Sequence, residues 1–132
     1  MTPESLAEDL LAQLAESPPT FADEAQLQRV LLGLLQRATP NEVEREVRLS
    51  KSDRLDFFVR VGDSEPRRGI AVEVKVQGSL SDLTRQLFRY AEHEQVTGLL
   101  VITTVQRHRQ LPPTIDGKPL SLICLGDFLL AG

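Results

Sequence analysis

Pro40 separates two regimes of hydrophobic spacing in this chain, and the change between them restricts the fold more than any other feature. Before Pro40, apolar residues recur three and four apart: Leu6, Leu10, Leu11 and Leu14, then Leu27, Val30, Leu31, Leu34, Leu35 and Ala38. Each set makes one apolar stripe on a helix. After Pro40 the period falls to two, the repeat of a strand whose side chains alternate between faces. A chain that begins with two amphipathic helices and then alternates must lay those helices on a sheet.

The first helix starts at Thr2-Pro3-Glu4, with a polar cap, a proline in the first turn and an acid at the positive end of the dipole. Pro18-Pro19 stops it, so it spans residues 3–16. The second begins after Thr20, with Asp23 and Glu24 in its first turn, and Pro40 ends it. Either of those two acids serves the dipole equally well.

Three alternating stretches follow. Val43, Arg45, Val47 and Leu49 share one parity against Glu44, Glu46 and Arg48. Across 55–61, Leu55, Phe57, Val59 and Val61 share one face, and Asp56, Phe58 and Arg60 the other. Across 70–77, Ile70, Val72, Val74 and Val76 face one way, and Ala71, Glu73, Lys75 and Gln77 the opposite way. Turns fall at Ser50-Lys51-Ser52-Asp53 and at Gly62-Asp63-Ser64-Glu65-Pro66.

Gly78-Ser79 breaks the third strand, and Ser79 or Ser81 caps a helix to about His93, with Leu80, Leu83, Leu87 and Ala91 as its apolar line. A β-branched run at 99–104 predicts a strand. Residues 106–118 hold Pro112-Pro113 and Asp116-Gly117 and predict a basic loop carrying Arg107, His108 and Arg109. A last strand over 120–125 leads into a helical turn at 127–130. The order is α-α-β-β-β-α-β-β: an α/β fold with a mixed central β-sheet flanked by helices. At 132 residues it is one domain, with an accessory N-terminal helix and a core over about 20–104.

Cys124 is the one cysteine, which excludes an intrachain disulfide and a multi-cysteine zinc site; its apolar neighbours predict a buried, inert thiol. Glu4, Glu8 and Asp9 interrupt any secretory leader, and no apolar run approaches membrane-spanning length, so no membrane association and a cytoplasmic location are expected. The net charge of −4 argues against nonspecific coating of nucleic acid. Residues 1–50 hold four Arg against nine acids, and residues 51–132 hold eleven Lys and Arg against ten acids. The acidity is therefore confined to the first part, and a local basic groove remains open to the second.

Glu73 and Lys75 lie two apart on one strand and project from the same face. Asp56 sits on the preceding strand. If the two strands form a hairpin, the carboxylates converge on one hard cation such as Mg²⁺ or Mn²⁺, and Lys75 is beside them to orient water and offset phosphate charge. That constellation suits hydrolysis of a phosphodiester. Glu-x-Lys alone is also an ordinary solvated strand face. Here the strand is otherwise nearly all Val and Ile, and a helix follows directly.

Leu55-Asp56-Phe57, Ala71-Val72-Glu73-Val74-Lys75 and Gln86-Leu87-Phe88-Arg89-Tyr90 resemble the motifs of the PD-(D/E)XK nuclease superfamily, in the branch of RecB-like and Holliday-junction-resolvase-like enzymes. The resemblance covers residues 22 to about 104, with Leu55 standing where the family commonly has Pro. It implies a restriction-endonuclease-like core, in the order αβββαβ, with an extra N-terminal helix and C-terminal strand. It implies that Asp56 and Glu73 bind the metal with the Val74 carbonyl, and that Lys75 positions the water. It implies that Gln86 and Tyr90 support Lys75 and the phosphate, and that Glu24 completes the metal sphere. At i and i+4, Gln86 and Tyr90 share a helix face, which is also the spacing of a polar pair on an exposed face. Arg85 and Arg89 are placed to meet phosphates or solvent, and His93 lies three past Tyr90.

The expected activity is that of a Mg²⁺- or Mn²⁺-dependent nuclease acting on nucleic acid, DNA ahead of RNA. The short chain leaves no room for a separate sequence-reading domain, which favours structure-selective or partner-targeted cleavage. A homodimer with helix 3–16 at its face would supply two sites to a symmetric junction. The competing expectation is a catalytically inactive module of the same fold that binds nucleic acid or a protein partner. An acidic chain favours that mildly; the presence of all of Asp56, Glu73 and Lys75 favours the enzyme.

Overall fold

A computed structural model describes residues 1–126, so the helical turn expected at 127–130 lies outside the described residues. The elements are α1 (Pro3–Glu16), α2 (Glu24–Ala38), β1 (Val43–Arg48), β2 (Arg54–Arg60), β3 (Gly69–Lys75), α3 (Leu80–Ala91), β4 (Val96–Thr103), β5 (Thr114–Ile115) and β6 (Lys118–Cys124). A 3₁₀ turn spans Gln106–Gln110. The chain is α/β: among the described residues, one mixed sheet in the order β1-β2-β3-β4-β6-β5 carries three α-helices. β1, β2 and β3 pair antiparallel, β3, β4 and β6 pair parallel, and β5 returns antiparallel on β6.

The local signals behind these elements are side-chain caps. The Thr2 hydroxyl accepts from Ser5 N, Asp23 accepts from Gln26 N, and Ser79, rather than Ser81, accepts from Asp82 N. Each satisfies an orphan N–H of a first turn. Asp23 is thus the cap of α2, which leaves Glu24 as its first helical residue.

Two hydrophobic layers enclose the sheet. On one face Leu6, Leu10 and Leu14 of α1 and Leu27, Leu31 and Leu35 of α2 cover Phe57, Val59, Ile70, Val72, Val74, Leu100 and Ile102. On the other, Leu83, Leu87, Tyr90 and Ala91 of α3 cover Leu55, Phe58, Ala71, Leu99 and Val101. β3 and β4 are therefore buried on both faces, as the centre of a parallel sheet requires. The helix expected to be accessory belongs to the core: Leu6, Leu10 and Leu14 are fully buried, so the apolar face of α1 is occupied by its own sheet. A Cβ at Gly98 would lie 2.5 Å from the Pro3 ring, so α1 starts hard against β4.

The alternation expected across 55–61 fails at one place. Leu55 packs under α3 while Phe57 and Val59 pack under α1 and α2. β1 changes face in step, with Val43 on the α1/α2 side and Val47 on the α3 side. Between the flanking pairs Arg45↔Phe57 and Val47↔Leu55 stand Glu46 and Asp56, and Glu46 has φ +51°. A left-handed glutamate costs about 1 kcal/mol or more. That inversion lets both strands turn over together and brings Asp56 out of the alternating pattern.

The basic loop expected over 106–118 is instead the 3₁₀ turn and the short β5–β6 hairpin. His108 is fully buried there. Its Nδ1 lies 2.7 Å from Thr103 Oγ1 and its Nε2 3.0 Å from the Gly78 carbonyl. The carbonyl can only accept, so Nε2 donates to it. Cys124 is buried, as expected. Among the described residues no helix is long and apolar enough to cross a membrane.

Candidate functional site

The β2–β3 ladder runs from Arg60↔Gly69 to Phe57↔Val72 and stops. The next hydrogen-bonded position would pair Leu55 with Val74, but Leu55 has turned under α3. Asp56 fills the opening: its Oδ2 accepts the Val74 N–H at 2.8 Å. Its Oδ1 accepts from Gln28 Nε2 of α2 at 3.3 Å. Main-chain N–H and C=O of one strand residue point to the same neighbour, so the Val74 carbonyl is directed into this opening as well.

Glu73 projects from β3 toward α3 and is only 3% exposed, which removes the solvated-face account of this strand. The Tyr90 phenol oxygen is 3.0 Å from Glu73 Oε2 and 2.9 Å from the Arg54 carbonyl oxygen, and Gln86 Nε2 donates to it at 2.7 Å. Gln86 and Tyr90 are thus not an exposed pair: Tyr90 is buried and joins α3 to the place where β2 and β3 part. Lys75 Nζ stands 3.9 Å from Glu73 Oε2, at the half-exposed end of β3.

The charges are unequal. Burial first, then the hydrogen bond and repulsion from Asp56, push the Glu73 carboxyl up to about 9, against weaker opposing effects of Lys75 and Tyr90. Burial and the neighbouring Glu73 likewise raise Tyr90. A phenol has one proton for two acceptors. With Glu73 neutral, its own O–H can donate to the phenol or to the neighbouring Asp56 carboxylate, while the phenol donates to Arg54. Glu73 Oε1 is buried and receives no hydrogen bond from another residue, a condition that calls for an explanation in a native structure.

A divalent cation would supply one. Glu73 Oε1, Asp56 and the Val74 carbonyl are all hard oxygen donors, the set that suits Mg²⁺ or Mn²⁺. Among the described residues no group of three or more His, Cys, Asp and Glu side chains could hold a metal ion. Glu24 is therefore not gathered with Asp56 and Glu73; the α2 side chain that reaches Asp56 is Gln28, one turn further along the same helix face. The oxygen donors in this opening are two carboxylates and a carbonyl, with the Lys75 ammonium beside them.

The remaining candidates have other partners. Arg89 Nε and His93 Nε2 bind the two oxygens of Asp53 at 3.0 and 3.1 Å. Burial works to raise Asp53, but these bonds outweigh it and hold the carboxyl below its ordinary value. Arg85 pairs with Asp82 on its own helix. Asp53 and Tyr90 together fasten α3 to the start of β2, immediately before Asp56. Sequence reasoning missed Gln28 and Asp53. Gln28 sits one turn beyond Glu24 and could have been considered with it; Asp53 reads as a turn residue, and only its burial reveals the tie.

No protein-family model matches the chain, nor does any curated protein or solved structure.

Proposed function

We propose that the chain is a divalent-cation-dependent nuclease whose site is Asp56, Glu73 and Lys75 on a restriction-endonuclease-like core. The observation that carries this is the opening between β2 and β3. There a buried carboxylate oxygen without a partner stands beside a second carboxylate and a lysine. The order of elements from α2 to β4 and the resemblance of the three motifs to PD-(D/E)XK nucleases support it.

Asp56, Glu73 and the Val74 carbonyl would hold Mg²⁺ or Mn²⁺. When bound, the ion supplies Lewis-acid stabilisation of the phosphate and a more acidic water. Lys75 offers a positive charge and a donor at the mouth of the opening, where it orients water and offsets charge on the phosphodiester. Gln86 and Tyr90 act through Glu73: the amide locks the phenol, and the phenol fixes Oε2, leaving Oε1 free of hydrogen bonds from other residues. Val74 N–H holds Asp56 in place.

A second reading has its own support. A neutral, buried Glu73 tied to Tyr90 also joins sheet to helix without any ion, which suits an inactive module that binds nucleic acid or a protein partner. Cleavage of linear, single-stranded, flapped and four-way-junction DNA and their RNA counterparts with Mg²⁺ or Mn²⁺ separates the two. The nuclease cuts at least one of these, and Lys75→Ala and Glu73→Gln cut it about 10²-fold more slowly or not at all. No cutting by the wild type, or equal cutting by the variants, favours the inactive module.

A further inference from the structure

Asp56 is held from two sides. Val74 N–H binds Oδ2 at 2.8 Å from within the sheet, and Gln28 Nε2 binds Oδ1 at 3.3 Å from α2. With a donor on each oxygen, the carboxylate plane is fixed. Both donors are neutral, and this matters for a cation site. A lysine or arginine in place of Gln28 would compete with a divalent ion for the same charge, and a carboxylate would, while no ion is bound, add repulsion to a pair already crowded by Glu73. An amide does neither. It orients Asp56 and leaves lone pairs open, since an ionised carboxylate has about four acceptor positions.

We infer that Gln28 is a positioning residue for the divalent-ion site, acting through Asp56. This rests on the reading of Asp56 and Glu73 as ion-binding carboxylates. The two helical layers then have matched tasks: α3 fixes Glu73 through Gln86 and Tyr90, and α2 fixes Asp56 through Gln28. Partners of metal-binding side chains that set their orientation change metal affinity by about 10- to 100-fold when removed.

Calorimetric titration of the full chain with Mn²⁺, together with thermal unfolding in a chelator, tests this on wild type, Glu73→Gln, Gln28→Leu and Gln28→Glu. Gln28→Leu is expected to unfold cooperatively and to bind Mn²⁺ about tenfold or more weakly. Gln28→Glu places a third carboxylate against Asp56. It is expected to melt below wild type in chelator, yet to bind Mn²⁺ more tightly than wild type, because affinity rises with ligand charge. A purely structural role would weaken binding in both variants. Wild-type affinity in Gln28→Leu, with binding lost in Glu73→Gln, would overturn the role of Gln28 and leave the site standing. Absence of any Glu73-dependent Mn²⁺ binding in the wild type would overturn the site and the role of Gln28 together.

Discussion

The Asp56 carboxylate occupies the ladder position that a Leu55 carbonyl would otherwise hold, accepting the Val74 amide at 2.8 Å. A side chain thus closes the gap that the turned strand leaves open, and the same side chain faces Glu73. Structure and chemistry share one residue here, so substitutions at Asp56 separate the two roles.

Asp56→Ala strands the Val74 N–H in a partly buried place, and we expect a loss of about 1–3 kcal/mol of stability. Asp56→Asn keeps an oxygen for that amide and removes the repulsion with Glu73, so it should be clearly more stable than Asp56→Ala. Urea unfolding of the two variants measures the gap. Equal losses would mean that the Val74 bond does not hold the strands together. Both variants should be inactive.

The raised Glu73 carboxyl makes stability depend on pH in a defined direction. Its folded value is about 9 against an ordinary value of 4.5, so between these the folded protein binds the proton and the unfolded chain does not. Its contribution is therefore complete below about pH 4.5, falls as pH rises, and is gone above about 9. The slope is at most about 1.4 kcal/mol per pH unit. Glu73→Gln stays neutral throughout, so its melting temperature relative to wild type should rise with pH across that window. A difference that stays constant from pH 5 to pH 9 would refute the shift.

Much of this was visible in the sequence, because period and parity are local properties. The leucines of α1 and α2 declare their faces, the equal parity of Glu73 and Lys75 puts them on one side of β3, and the four-residue spacing of Gln86 and Tyr90 puts them on one side of α3. What was hidden depends on distant partners. The phase change at Glu46 and Asp56 follows from one inverted backbone torsion, which a glutamate does not advertise. Burial of His108 rests on Thr103 and on the Gly78 carbonyl across the turn. Gln28 meets Asp56 only because α2 crosses that face of the sheet. The leucines of α1 looked available to a partner for a related reason: periodicity shows that a face is apolar, not what covers it.

Lys75 is the site residue least engaged in the fold, since it ends β3 half exposed and its nearest acid is 3.9 Å away. Lys75→Ala should change stability by no more than about 0.5 kcal/mol. Its effect on cleavage should be about 10²-fold or more, the usual worth of a positioned proton-transfer or orienting group. Single-turnover rates on whichever substrate the wild type cuts supply the comparison. Full activity in a well-folded Lys75→Ala would remove it from the mechanism.

Metal and stability are linked through the same pair. Asp56 and Glu73 repel when both are charged, and an ion that binds both relieves the repulsion and binds the folded state preferentially. Stability should then rise by RT ln(1 + [L]/Kd), about 1.4 kcal/mol at tenfold excess over Kd. Thermal unfolding of wild type and Glu73→Ala with and without millimolar Mn²⁺ is the measurement. The rise in melting temperature should vanish in Glu73→Ala, which keeps every other acid in the chain. An equal rise in both proteins would mean that the ion binds elsewhere, most simply along residues 1–50, where nine acids face four arginines. The unpartnered Glu73 oxygen would then need a different explanation, and the inactive module would become the better account.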